Sequence, residues 1–237
     1  MSKELKHAIP ETITVSMGFI ASLAIVLASI GKYSVSLRLV FICLALDVLD
    51  GLLARALKSV SERGEFLDRL FDRLYQIVAP AIIYVQAADH SPPAMVYASI
   101  IISGSFWRLS RRVPTREYFA GLPLFTHTII IVSSVISGYL IPPCIMIILA
   151  ILSIIPIKYY RRRTRFSHLE NKGTFWIPRL IIPLILAALP YRGVFSKIFL
   201  IIEVAILAYV ASGWIPFLVK GGVKNLFHRK TYALYKF

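Results

Sequence analysis

Four aspartates stand where an acidic side chain is hardest to accommodate. Asp47 and Asp50 lie in one long apolar stretch of the chain, and Asp68 and Asp72 lie in the next. If these stretches cross a membrane, each carboxylate costs about 2.5–3.5 kcal/mol even on the lenient insertion scale. Four together would cost on the order of 10 kcal/mol before their mutual repulsion is counted. Such a cluster indicates a functional site whose ligand offsets the cost.

The spacing within each pair places its two carboxylates on one helical face. Asp47 and Asp50 are three residues apart, and Asp68 and Asp72 are four apart. The short link at 57–63 makes the two helices antiparallel neighbours, so the pairs should face each other at similar depth. Oxygen ligands suit hard divalent ions such as Mg²⁺ or Mn²⁺. Two such ions about 4 Å apart form a clamp for substitution at phosphorus.

Residues next to the aspartates suit a phosphate-bearing ligand. Gly51 and Gly64 leave room for close helix approach and for a ligand, and Arg55 can hold a phosphate at the helix end. The alternative is a packed bundle in which the acids form salt bridges with Arg69 or Arg73. We favour the functional interpretation, because buried ionisable clusters in membranes usually mark a site.

The composition of the chain shows what carries these residues. Hydrophobic residues make up 57% of the chain, charged residues 16%, and the mean hydropathy is +0.72. Soluble domains carry about a quarter of their residues as charges, so lipid must solvate this chain. A spanning helix needs about 20 mostly apolar residues. The sequence therefore predicts an all-α integral membrane protein with eight crossings, near 12–30, 34–56, 64–86, 93–109, 121–139, 142–157, 175–189 and 196–219.

The basic residues indicate orientation. The formal net charge is +15, and most of the 27 lysines and arginines fall in the connections on one side of the predicted helices. This bias predicts that both termini and the aspartate site face the cytoplasm in a multi-pass protein of the cell membrane. Anionic lipid headgroups are the partner that such loops suit, and we expect no nucleic acid partner.

The aspartates belong to a longer pattern, which reads Asp47-x2-Asp50-Gly51-x2-Ala54-Arg55-x8-Gly64-x3-Asp68-x3-Asp72. This pattern resembles the signature of the CDP-alcohol phosphatidyltransferase family. The resemblance implies a six-helix catalytic core, a pair of divalent metal ions, and displacement of CMP from a CDP-linked lipid by an alcohol. Members are commonly homodimers, so we expect a homodimer here. The expected organisation is a catalytic transmembrane core at 1–158, then a basic loop, two further transmembrane helices and a basic tail at 159–237.

The resemblance also implies roles for single residues. It makes Asp72 both a metal ligand and the general base that takes the proton of the attacking hydroxyl. The remaining metal ligands that it implies are Asp47, Asp50 and Asp68. The contacts that it implies for the CDP-linked lipid are Gly51, Arg55 and Ser61.

Three outlying motifs resemble the serine-using branch of the family. Ile9-Pro10 with Thr14 is similar to the start of that branch's first helix, although Glu11 stands where the branch has Asn. Ala79-Pro80 is similar to a motif that follows the last aspartate. The third is Arg108-Leu109-Ser110-Arg111 together with the Phe-Ala-Gly-Leu-Pro run at 119–123.

Arg108 and Arg111 make chemical sense for an amino-acid acceptor. They are three residues apart on one face at the predicted cytoplasmic end of the fourth stretch. A guanidinium binds a carboxylate in a two-pronged geometry, so we expect these arginines to bind serine. The alternative for both is simple anchoring by the positive-inside rule.

The functional hypothesis is therefore phospholipid synthesis by transfer of a phosphatidyl-type group from a CDP-linked lipid to serine, with release of CMP. Inositol phosphate, glycerol phosphate or an amino-alcohol are alternative acceptors. An ion-coupled transporter is the alternative of a different class. Acids close to a cytoplasmic loop, with Arg55 adjacent, suit a lipid headgroup better than a transport pathway.

Overall fold

The computed structural model describes residues 3–59, 61–112, 118–160, 177–191, 193–221 and 233–234. This part of the chain is mostly helical, in agreement with the predicted all-α fold. The division into six core helices and two further helices stays a prediction. The helices are α1 (Lys3–Ser29), α2 (Tyr33–Ala56), α3 (Glu62–Arg73), a π-helical segment (Leu74–Val78), α4 (Ala79–Ala87), α5 (Pro92–Leu109), α6 (Phe125–Ser137), α7 (Pro143–Ile154), α8 (Ile177–Ala188), α9 (Val194–Ser212) and α10 (Ile215–Gly221).

Several of these helices are apolar enough to lie in lipid. Ala8–Ser29 of α1 and the whole of α9 are long enough to cross a membrane, whereas α6, α7 and α8 are apolar but shorter. Large apolar side chains point outward from the long helices, with Phe19 72% and Ile201 69% exposed. Exposed apolar surface of this kind suits contact with lipid. The number of crossings and their orientation stay predictions.

The chain divides into two compact units. The first comprises Met1–Ile83 and Thr164–Pro190. Within it α1 packs against α2 and α3, and α2 packs against α8. The approach of α1 to α3 is close at Gly18, where an added Cβ would lie only 2.4 Å from a ring carbon of Phe71. Between α2 and the C-terminal end of α8, Arg38 donates to the carbonyls of Ala187 and Leu189 at 3.1 and 3.4 Å. These contacts fix α2 and α3, which carry the four aspartates, in one unit.

Local sequence explains where α3 begins and how it continues. Ser61 caps its first turn, because the Ser61 hydroxyl accepts a 2.9 Å hydrogen bond from the Gly64 amide. After Arg73 the helix widens into the π-helical segment, in which the Ala79 amide donates to the Leu74 carbonyl five residues back. Pro80 follows and has no amide hydrogen to donate, which favours such a local rearrangement. A π-helical turn therefore lies directly after the last aspartate of the pattern.

The second unit comprises Tyr84–Arg163 and Tyr191–Phe237. Within it α5 packs against α7, and α6 packs against α9. The short strands β2 (Tyr118–Ala120) and β3 (Lys158–Tyr160) pair antiparallel, with Phe119 opposite Tyr159. Two further short strands, β1 (Arg111–Arg112) and β4 (Ala233–Leu234), also pair antiparallel.

The helix predicted at 121–139 begins only at Phe125, because Gly121 has a left-handed backbone (φ +82°) and Pro123 follows it. The predicted division of the chain at residue 158 stays a prediction, and most of the basic loop and tail that it places in the second part lies outside the described residues.

Glu203 joins α9 to α6 inside the second unit. Its side chain is only 4% exposed, and its two carboxylate oxygens accept hydrogen bonds from Ser134 and Ser137 at 3.0 and 3.2 Å. Both hydroxyls lie on one face of α6, three residues apart. A carboxylate among apolar helices needs such donors, so this contact fixes the register of α9 against α6.

The contact between α1 and α3 makes a stability prediction. Gly18→Ala places a methyl group against the Phe71 ring, so we expect it to destabilise the fold by about 1–3 kcal/mol through overpacking. In a Phe71→Ala background the clash disappears, and the gain of about 1 kcal/mol in helix propensity should make the same change neutral or stabilising. The measurement is thermal unfolding in detergent. Phe19→Ala, at an exposed position of α1, is the control. If Gly18→Ala lowers the stability equally with Phe71 and with Phe71→Ala, the predicted contact between Gly18 and Phe71 is wrong.

Candidate metal and substrate site

The structure brings the predicted aspartates together. The second half of α2 presents Asp47 and Asp50, and α3 presents Asp68 and Asp72. One carboxylate oxygen from each of Asp47, Asp50 and Asp68 lies within 4.8 Å of the others. The Asp72 carboxylate lies near enough to those of Asp47 and Asp68 to interact with both. The four acids therefore form one cluster, which we call the aspartate cluster.

The cluster has more acceptor oxygens than donors. Asp50 is only 5% exposed, and Oδ1 of Asp68 and Oδ1 of Asp72 are buried with no hydrogen-bond partner among the described residues. A buried acceptor without a donor is costly, and a cation is the group that would satisfy several at once. Carboxylate oxygens converging at this spacing are the donor set that Mg²⁺ and Mn²⁺ prefer. The residues present therefore fit a divalent metal site.

The salt-bridge alternative finds less support. Arg69, one of the two arginines that it requires, forms its 2.7 Å ion pair with Glu65 one turn earlier on α3. That pair links two side chains of the same helix. Arg73, the other arginine, interacts electrostatically with Asp72. Even so, Oδ1 of Asp68, Oδ1 of Asp72 and Nε of Arg73 are all buried without a hydrogen-bond partner among the described residues.

Thr14 of α1 is a cluster residue that the sequence reasoning did not assign to the site. Its buried hydroxyl donates to Oδ2 of Asp50 at 2.7 Å. The contact joins residues 36 positions apart, so no local spacing could have revealed it. The signal that was available is the motif at the start of the first helix, in which Thr14 follows Pro10 by four residues.

Tyr75 is a second residue that sequence reasoning missed. It is 1% exposed, and its hydroxyl lies close enough to the carboxylates of Asp47 and Asp72 to interact with both. The Gln76 side-chain amide donates to the same hydroxyl at 2.9 Å. Because Tyr75 follows Asp72 by three residues in a continuous helix, the two share a face. The signal available in the sequence was a tyrosine three residues after Asp72, on the helical face that carries the aspartate.

A cavity of about 190 Å³ borders the aspartate cluster. Its wall includes Asp50 and Asp68 and all three residues predicted to contact the CDP-linked lipid, Gly51, Arg55 and Ser61. An added Cβ on Gly51 would have its nearest neighbour at 3.4 Å, on the Arg55 guanidinium, so the missing side chain leaves space beside the arginine. The roles of Gly51, Arg55 and Ser61 in binding the CDP-linked lipid stay predictions. All three residues line a cavity that contains a basic side chain able to bind a phosphate.

The Ser61 hydroxyl has a structural task in this wall. Besides accepting from the Gly64 amide, it donates to the Glu11 carboxylate at 3.3 Å. Glu11 thus links the start of α1 to the start of α3 at the cavity. An added Cβ on Gly64 would lie 3.0 Å from the Ser61 hydroxyl oxygen. A side chain at Gly64 would therefore crowd the Ser61 hydroxyl that caps α3.

The structure describes the side chain of only one of the two arginines predicted to bind the acceptor. The Arg108 guanidinium donates to the carbonyls of Leu122, Ser153 and Ala120 at 2.7, 2.9 and 3.0 Å. Arg111 lies in β1, and its side chain is outside the described part of the structure. The acceptor-binding role of either residue stays a prediction.

Comparison with known proteins identifies the class. Residues 7–159 match the family model of the CDP-alcohol phosphatidyltransferases, and the chain belongs to this family. The resemblance of the signature is thereby confirmed. Members are membrane proteins that transfer a phosphatidyl group from a CDP-linked lipid to an alcohol, and they generally depend on divalent metal ions.

A particular relative is also similar. The chain is 30% identical over 155 residues to the CDP-diacylglycerol–serine O-phosphatidyltransferase of Methanocaldococcus jannaschii. The alignment covers 64% of this chain and 76% of the relative. The aspartate cluster falls inside the region that the family model matches, whereas α8, α9 and α10 lie beyond it.

The contact between Thr14 and Asp50 predicts a change in metal dependence. Thr14→Val keeps the shape of the side chain but removes the donor, so the half-saturating Mn²⁺ concentration for CMP release should rise about 10–100-fold, the range typical for groups that orient metal ligands. Thr14→Ser keeps the hydroxyl and should stay near the parent. Thr12→Val is the matched control, since the exposed Thr12 hydroxyl donates to the Ala8 carbonyl. An unchanged Mn²⁺ dependence in Thr14→Val would contradict a role for this hydroxyl.

Proposed function

We propose that this protein transfers a phosphatidyl-type group from a CDP-linked lipid to the hydroxyl of serine, with release of CMP. The observation that carries the proposal is the aspartate cluster, which borders a cavity lined by Gly51 and Arg55. Family membership supports the reaction type and disfavours the transporter alternative. The serine-using relative and the three flanking motifs support serine over inositol phosphate, glycerol phosphate or an amino-alcohol.

We assign metal binding to the aspartate cluster. Asp47, Asp50, Asp68 and Asp72 would hold a pair of Mg²⁺ or Mn²⁺ ions. When bound, the ions would neutralise charge on the attacked phosphate and on the departing nucleotide. Thr14 orients Asp50 through its 2.7 Å hydrogen bond, and Tyr75 restrains Asp47 and Asp72. These contacts hold the ligands in place before the substrate arrives.

The remaining residues bind the lipid and move one proton. Arg55 binds a phosphate of the CDP-linked lipid, with Gly51 giving access and Ser61 forming the wall of the same cavity. The serine oxygen forms a bond to the phosphorus that carries the lipid, and the bond from that phosphorus to the CMP oxygen breaks. CMP departs with the bonding electron pair. Asp72 accepts the hydroxyl proton, since a carboxylate beside the attacking oxygen is a competent general base.

Specificity for serine requires a group that recognises its carboxylate. We assign this contact to Arg108 and Arg111, and the Arg108 guanidinium also donates to three main-chain carbonyls. A guanidinium fork matches a carboxylate in two-pronged geometry. We further propose a multi-pass protein of the cell membrane, a site open to the cytoplasm, and a homodimer. The charge bias of the loops supports this orientation.

The test of the function is CMP release by purified protein. We expect release from CDP-linked lipid to require serine and a divalent ion, with little stimulation by inositol phosphate or glycerol phosphate. Asp72→Asn should lower the rate by about 100-fold or more while CDP-lipid binding persists, since an amide is a poor proton acceptor of nearly the same shape. Asp89→Asn, at an exposed position after α4, is the matched control and should retain the parent rate.

Three results would count against the proposal. CMP release with another acceptor and none with serine would overturn the acceptor while leaving the reaction type standing. No CMP release with any acceptor would overturn the enzyme itself. A near-normal rate in Asp72→Asn would remove the general-base assignment.

A further inference from the structure

Glu11, in the first half of α1, is an acidic residue that the proposed reaction does not use. Its side chain is half-buried and lies in the wall of the cavity that borders the aspartate cluster. One of its oxygens, Oε1, accepts the 3.3 Å hydrogen bond from the Ser61 hydroxyl, and a Cβ added to Gly64 would lie 3.9 Å from the Glu11 Cγ. The start of α3 therefore holds the Glu11 carboxylate at the cavity.

The second oxygen of this carboxylate, Oε2, has no donor among the side chains that the structure describes. Glu65, the other glutamate in the cavity wall, differs in this respect, because it forms a 2.7 Å ion pair with Arg69. A carboxylate that loses contact with water needs a hydrogen-bond donor or a cation in its place. A ligand that displaces water from the cavity must therefore bring a partner for Glu11.

The position of Glu11 indicates which part of the ligand this partner is. The three acids whose oxygens converge within 4.8 Å do not include Glu11, so it is not placed to share a metal ion with them. A phosphate carries negative charge and is repelled by a carboxylate, so the phosphates are expected nearer to Arg55. Asp72, to which we assign the proton of the acceptor, is not among the described residues that line the cavity. The group at Glu11 should therefore be a neutral donor of the nucleotide.

We propose that Glu11 binds the exocyclic amine of the cytosine base and makes the cavity selective for cytosine over uracil. This inference rests on the proposed binding of a CDP-linked lipid in the cavity. The amine N4 of cytosine is a hydrogen-bond donor, and a glutamate or aspartate is the acceptor that matches it. Uracil carries an oxygen, O4, at the same place, and two acceptors that face each other repel. Because Ser61 donates to Oε1, Oε2 is the oxygen that accepts from the base.

The experiment measures equilibrium binding of CDP and UDP to the purified full-length protein in detergent with Mn²⁺, and it needs no turnover. We expect the parent to bind CDP about 10–100-fold more tightly than UDP, the range for one well-placed base contact. In Glu11→Gln the side-chain amide accepts from N4 or donates to O4, so the preference for CDP should fall to about threefold or less. The glutamine oxygen still accepts from Ser61, so the contact between α1 and α3 should persist.

Glu11→Asp separates the position of the carboxylate from its charge. It keeps the negative charge but shortens the side chain by one methylene group, so the preference for CDP should fall as it does in Glu11→Gln. Glu62→Gln is the matched control, because Glu62 is an exposed acid in the first turn of α3. It removes the same charge and should keep the preference of the parent. The unfolding temperature of each variant shows that the compared proteins are folded.

Binding of 2′-deoxy-CDP distinguishes the base from the ribose, whose hydroxyls are also neutral donors. The ratio of CDP affinity to 2′-deoxy-CDP affinity should be the same in the parent and in Glu11→Gln, and a change in this ratio with an unchanged preference for cytosine would overturn the proposal. Equal binding of CDP and UDP by the parent, or a full parental preference in Glu11→Gln, would also overturn it.

Failure of the proposed function gives a different result from failure of this inference. A parent that binds CDP selectively but releases no CMP with serine would refute the proposed reaction, while the variants of Glu11 would still decide the role of this residue. A parent that binds neither CDP nor UDP would overturn both.

Discussion

The repulsion among four carboxylates held close together is the constraint on which the rest of this structure depends. The aspartate cluster concentrates negative charge in a chain that is 57% hydrophobic, and two of its oxygens have no hydrogen-bond partner among the described residues. Neighbouring donors reduce this imbalance without removing it. Thr14 donates to Asp50, and Tyr75 reaches Asp47 and Asp72. The imbalance is the physical basis for expecting divalent cations at this place.

The elements of the first unit serve to hold that cluster. The helix α1 supplies Thr14 and, at Gly18, the close contact that lets α3 approach. Ser61 fixes the start of α3 and connects it to Glu11 of α1. The π-helical segment after α3 carries Tyr75. The ligands therefore lie on helices whose ends and crossings are specified by particular contacts, which is what a preorganised site requires.

Features that depend on local spacing could be predicted, and features that depend on distant contacts could not. Helical periodicity and a short link sufficed to place the four aspartates together, and the signature sufficed for the family. The hydrogen bond from Thr14 to Asp50 spans 36 positions, and those from Arg108 to Leu122 and Ser153 span 14 and 45. Local spacing placed Arg108 on a helix face but could not reveal its main-chain partners, which come from two other segments. The left-handed turn at Gly121 likewise makes α6 begin at Phe125, whereas hydropathy alone predicts a helix from residue 121.

The central claim is that the aspartate cluster binds divalent metal ions, and titration with Mn²⁺ followed by electron paramagnetic resonance tests it most directly. Free Mn²⁺ gives a sharp signal that is lost on binding, so the assay needs neither substrate nor turnover. The account predicts saturable uptake of about two ions per chain by the parent protein, as a two-metal site requires. Asp47→Asn and Asp68→Asn should lose most of this uptake, and Asp89→Asn should retain it. Equal uptake in the parent and in both cluster variants would contradict the account.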